Sequence, residues 1–120
     1  MSISNYAELA LLNTLRNTSF AVTAVYLKLH TGDPGEAGTS NAATEATRKV
    51  VSFSAASSGS MTSSATVEWT NVSTTETYSN WSLWDAATSG NCLWSGGLAT
   101  TAAVTAGDTF QITSLTLTLD

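Results

Sequence analysis

Between Tyr78 and Leu98 the chain reads as two β-like arms around a polar turn, and the rest of the hydrophobic pattern is organised about this hairpin. Strand side chains alternate faces with a period of two. On the first arm Trp81 and Leu83 therefore share one face, while Tyr78, Asn80, Ser82 and Trp84 share the other. A one-residue slip exchanges the two sets, which leaves open whether Trp81 or Trp84 is the buried indole. The connection from Asp85 to Asn91 has Asp at its entry and Gly-Asn before its exit, residues suited to turns and positive φ. The second arm, Cys92 to Ser95, carries Trp94 and is expected to stop at Gly96 and Gly97.

The same alternation recurs on both sides of the hairpin. Val25, Leu27 and Leu29 alternate with Tyr26, Lys28 and His30 in a strand expected from Thr23 to His30. A second runs from Arg48 to Phe53, and a third from Ala65 to Trp69. Ala55 to Ser64 is small and polar and predicts no strand. After the hairpin come a short strand near Ala102 to Val104, one with Phe110 and Ile112, and a closing one with Leu115, Leu117 and Leu119. The expected core is Val25, Leu27, Leu29, Phe53, Trp69, Trp81, Leu83, Trp94, Phe110, Ile112 and Leu117. About eight short strands with turns roughly every 8–12 residues predict a mainly β fold, a single jelly-roll-like β-sandwich over about 23–120.

One helix precedes it, expected from about Tyr6 to Arg16, with Asn5 as N-cap, Glu8 in the first turn and Asn17 as the C-terminal cap. Leu11, Leu12 and Leu15 form an apolar stripe with Leu9 at its edge. Two readings stay open: the stripe packs on its own sandwich, or on a neighbouring subunit. From Thr31 to Asn41 lies a long loop with the chain's only proline, in which Asp33, Pro34 and Gly35 make a tight turn. The helix and this loop are the expected partner contacts, through Tyr6, Leu9, Leu12, Asp33, Pro34, Gly35 and Glu36.

Composition narrows the function. Charged residues are 11% of the 120, under the usual value of about 25%, and the net charge is −5 with only four Lys and Arg. Phosphate contacts need clustered cations, so a nucleic-acid partner is not expected. No apolar run reaches the roughly 18 residues of a membrane span, so no membrane partner is expected either, and a soluble product made in the cytoplasm is. Ser and Thr supply the polarity, which suits strands whose outer faces press on other proteins. Cys92 is alone, which excludes an intrachain disulfide and points to a packed thiol.

No residue set predicts chemistry. His30 is the only histidine, and Thr31 and Asp33 beside it lack the spacing of a hydroxyl, base and carboxylate triad. A strand-end hydrogen bond is its expected role. Asp33, Glu36, Asp85 and Asp108 sit in turns or beside glycine without the alternating oxygen ligands of a calcium loop. The chain is accordingly expected to be no enzyme and to carry no metal or cofactor.

Six blocks together resemble a family of small tailed-bacteriophage virion proteins, commonly labelled tail fibre protein and similar to head cement or decoration proteins. They are Ser4 to Glu8, Val25 to Gly35, Trp84 to Asn91, Leu93 to Gly96, Ala106 to Phe110 and Leu115 to Asp120. One segment departs from the pattern: Thr47-Arg48-Lys49-Val50 stands where the family often has a Tyr-Ala-Arg-Gln-like sequence. The resemblance implies a non-enzymatic virion protein on the capsid surface, whose partners are the major capsid protein and copies of itself. As a head cement it would bridge capsid subunits and stabilise the expanded shell. The alternative it implies is a tail or tail-fibre component; a third reading, host-surface glycan binding, comes from the residues themselves, since exposed Trp and Asn pairs can stack on sugars.

Overall fold

The computed structural model describes residues 1–119. Asp120, the end of the closing block, lies outside them. Over the described residues the fold is mainly β, with nine strands and one helix arranged as a sandwich. In chain order these are β1 (Ser2–Ile3), α1 (Asn5–Thr14), β2 (Val25–His30), β3 (Lys49–Val51), β4 (Ser60–Thr62), β5 (Val67–Trp69), β6 (Glu76–Trp84), β7 (Cys92–Val104), β8 (Phe110–Ile112) and β9 (Thr116–Thr118).

One layer is an antiparallel five-stranded sheet in the order β1-β7-β6-β2-β3. The Trp-dense hairpin lies at its centre, β6 pairing with β7 on one side and with β2 on the other. The other layer is a two-stranded ribbon in two halves. β5 pairs with β8 and β4 with β9, and four residues (63–66) on one arm face three (113–115) on the other between the halves. That one-residue excess bends the ribbon over the sheet. The residues after β3 reach the ribbon: Ser54 N–H donates to Thr62 O, and Ser64 N–H to Ser52 O. Between the layers Leu27, Leu29, Trp69, Trp81, Leu83, Ile112 and Leu117 are buried, while Val25, Phe53, Trp94 and Phe110 are half-buried and pack against them.

Four details depart from the sequence pattern, each for a local reason. First, β7 does not stop at Gly96 and Gly97 but continues to Val104, because Trp81 lies over Gly96 and needs a residue without Cβ there. Second, Tyr78 joins the Trp81 face. Ser79 alone stands opposite residues 98–101, and this bulge reverses the alternation. Tyr78 then packs on Phe110 with ring centroids 5.1 Å apart, and burial pushes its pKa up to about 12.

Third, both indoles at issue are buried, on opposite faces: Trp81 in the sandwich, Trp84 on the outside of the sheet. Fourth, Ser60–Thr62 forms a strand in the segment without alternation, where Met61 is its one apolar contribution to the interior.

The outer face of the sheet is covered by the loop from Thr31 to Asn41. Its ends are tied by Thr31 N–H to Asn41 O at 2.8 Å, and Asn41 Nδ2 donates to Asp33 O at 2.9 Å. Gly35 takes positive φ and donates to Asp33 Oδ1, the expected turn. The loop is not an idle solvated one, however. Pro34 and Gly38 are buried, Gly38 against Cys92 and Trp84.

Candidate assembly surface

Ser4 determines how α1 is held. Its Oγ accepts from Ala7 N–H at 3.1 Å, making Ser4 the N-cap in place of the expected Asn5. The same hydroxyl donates to Cys92 O at 2.5 Å, and Ser4 N–H donates to Leu93 O at 3.0 Å. The helix start is thereby bolted to β7. At the other end Asn17 adopts φ 61 and Thr18 N–H reaches back to Asn13 O, closing the helix as a left-handed cap.

Ala7 is the helix's one buried residue among those described, small enough to let α1 approach β7 closely. The leucines do not turn inward. Leu9, Leu12 and Leu15 are 62%, 63% and 84% exposed, while Leu11 at the side lines an apolar groove. That groove, about 270 Å³, runs between α1 and the sandwich and is lined also by Ile3, Phe20, Val22, Trp94 and Leu117. Trp94 thus faces the groove and is half-buried, and its Nε1 has no partner among the described residues.

The sequence-derived contact residues fall into two groups. Tyr6, Leu9 and Leu12 are exposed on α1, with Tyr6 edge-on to Phe20 at 6.2 Å. Asp33, Gly35 and Glu36 are exposed on the loop, whereas Pro34 is buried and has no side-chain surface to offer a partner. Tyr6 and Glu36 line one cleft of about 380 Å³, and Ser2 Oγ donates to Glu36 Oε1 at 3.2 Å. Leu12 lies outside that cleft. Leu15, part of the expected stripe but not among the expected contacts, is the most exposed of these leucines and directly follows α1. Its place beyond the last helical turn, three residues after Leu12, is the signal that marks it.

Beneath the loop lies a closed polar chain. His30 is fully buried; Nδ1 sits 2.9 Å from Ser40 O and Nε2 2.7 Å from Ser82 Oγ. A carbonyl can only accept, so Nδ1 carries the proton. Trp84 Nε1–H donates to Ser82 Oγ at 2.7 Å, leaving the hydroxyl proton to go to His30 Nε2. Burial is the main force that lowers the His30 pKa and keeps the ring neutral. Ser82 is itself fully buried, so this Ser–His pair is closed to substrate and works as internal bracing.

Arg48 covers Trp84 from outside, its guanidinium carbon 4.0 Å from the ring centroid and Nη1 donating to Ala86 O and Ser89 O. Lys28 Nζ stands 5.7 Å from the same ring. Burial, then the neighbouring Arg48, lowers the Lys28 pKa. With Trp69, Trp81 and Trp84 buried and Trp94 half-buried in the groove, none of the four indoles lies open for a sugar to stack on. Asp85 and Asp108 cap turns, accepting from Asn91 N–H and Thr105 N–H. Among the described residues no three His, Cys, Asp or Glu side chains gather as a metal site.

What the surface presents is therefore apolar ridge and groove rather than convergent chemistry. The model of the family described as Podophage GP4 fiber I protein gp80 matches residues 2–120. The chain belongs to that family. It is a family of phage fibre structural proteins, so the tail-fibre label carried by the six sequence blocks agrees with it, and a virion location follows. The match takes in α1 and the loop as well as the sandwich. No curated protein matches this fibre I family member.

Proposed function

We propose that this fibre I family member is a non-enzymatic structural subunit of a tail or tail-fibre appendage, joined to neighbouring virion subunits by burial of the apolar surface of α1. The observation that carries the reading is the leucine ridge. Leu9 and Leu12 on α1, and Leu15 at its C-terminal cap, point away from the chain's own sandwich, and the helix that carries them is capped and bolted in place. A contiguous apolar ridge of this kind marks an interaction site. Covering it stabilises an assembly by roughly 25 cal/mol per Å² removed from water. Such binding free energy is gained only in the assembled state.

A head cement that bridges major capsid protein subunits would use the same ridge, and the two readings differ in place and copy number. Mapping the protein in intact particles by electron microscopy separates them. A few tens of copies or fewer, clustered at the tail, are expected; hundreds spread over the shell would overturn the fibre reading in favour of cement.

A further inference from the structure

We propose that the partner of the α1 ridge is a second copy of this chain, whose own α1 lies antiparallel on it across a two-fold axis at Leu12. This rests on the reading of the ridge as an assembly surface and names what covers it. The residues around Leu12 are arranged symmetrically. Leu9 and Leu15 stand three residues to either side of it, and Glu8 and Arg16 four. An antiparallel copy centred on Leu12 therefore sets each Leu9 against a Leu15, Leu12 against itself, and each Glu8 at the height of an Arg16.

The charges discriminate between orientations. Glu8 stands on α1 toward one end of the ridge, and Arg16 stands at the other end in the turn that follows Leu15, held by Arg16 N–H to Asn13 O. Antiparallel pairing sets each carboxylate at the height of a guanidinium, end against oppositely charged end. A parallel pair would instead place Glu8 by Glu8 and Arg16 by Arg16, which is unfavourable. A two-fold contact uses the same patch on both partners, and this ridge is complementary to itself in both shape and charge.

The ridge from Leu9 to Leu15 is about 9 Å long, small beside the roughly 800 Å² per partner of a standard interface. Free copies therefore pair weakly, and copies held together in a particle pair through their high effective concentration.

Cross-linking tests the axis directly. In a Cys92→Ser background, mild oxidation of Leu12→Cys is expected to give a disulfide-linked dimer, because two copies of position 12 face each other. Leu9→Cys is expected to stay monomeric, since its two copies are about 9 Å apart along the helix, beyond the roughly 7 Å Cα separation a disulfide spans. In sedimentation over rising concentration, Glu8→Arg and Arg16→Glu should each weaken self-association about tenfold, and the double reversal should restore it. Equal cross-linking at positions 9 and 12, or charge reversals without effect, would overturn the pairing. A chain that fails these tests yet maps to the tail in low copy number leaves the fibre reading standing, whereas hundreds of copies on the shell overturn that reading whatever position 12 does.

Discussion

The indole of Trp81 packs against Gly96 on the adjacent strand, so close that a Cβ on Gly96 would meet the ring at 2.6 Å. The residues are direct partners in the β6–β7 ladder, and the glycine is there for space rather than for a left-handed backbone. Gly96→Ala should overpack this contact and cost about 1–3 kcal/mol. Gly97 supplies the control. A Cβ there meets nothing nearer than 3.8 Å, so Gly97→Ala should unfold at nearly the parental denaturant midpoint while Gly96→Ala shifts well below it.

Ser82 holds two buried groups at once, Trp84 Nε1 and His30 Nε2. Ser82→Ala leaves both unpaired, and each unsatisfied buried group costs about 1–3 kcal/mol. Acid should have a related effect. The folded-state pKa of His30 is lowered from 6.5, so below that value the unfolded chain takes up a proton that the folded chain refuses. Stability is thus fully present above pH 6.5 and is lost as the pH falls through the folded-state pKa. Equilibrium unfolding between about pH 7 and 5 should show this decline in the parent and a flatter profile in His30→Gln. Equal slopes would mean that the histidine is not held neutral.

Much of the sandwich was legible because alternation is a strong signal where one face is buried. Leu27 and Leu29 on β2 and Trp69 on β5 follow it directly. Tyr78 did not, since a bulge at Ser79 reverses the period, and bulges leave no mark on hydrophobicity. Trp84 was ambiguous for a different reason: its burial depends on a loop more than 40 positions away that folds back over the sheet. On α1 the stripe of leucines was visible, but periodicity records only that a face is apolar. Which way it points is fixed by Ser4, whose bonds to Cys92 O and Leu93 O are tertiary.

The lid formed by residues 31–41 can be opened at one position. Gly38 has φ +70, and a Cβ there would come within 2.6 Å of Cys92 Sγ and 2.9 Å of the Trp84 ring. Gly38→Ala is both strained and overpacked, so the loop should lift from the sheet. In the parent, burial raises the Cys92 pKa and keeps the thiol protonated and covered. Reaction with a thiol-specific disulfide reagent at pH 8 should be slow in the parent and at least tenfold faster in Gly38→Ala. Identical rates would show that the loop does not shield Cys92.

Arg48 ties the hairpin turn to the outer face of the sheet by three contacts: the Trp84 ring at 4.0 Å and the carbonyls of Ala86 and Ser89 at 2.8 and 2.7 Å. A planar guanidinium can stack and donate in its plane at the same time, which an ammonium cannot. Arg48→Lys therefore keeps the charge but should lose most of the clamp, and Arg48→Ala all of it. The stacking contributes about 0.5–1 kcal/mol at such a half-exposed site, and the two hydrogen bonds add about 1 kcal/mol each. Amide exchange should quicken within residues 85–91 in both variants while β2 and the core half of β6 remain protected. If Arg48→Lys exchanges like the parent, the charge alone holds the turn, and the stacked geometry over Trp84 is incidental to it.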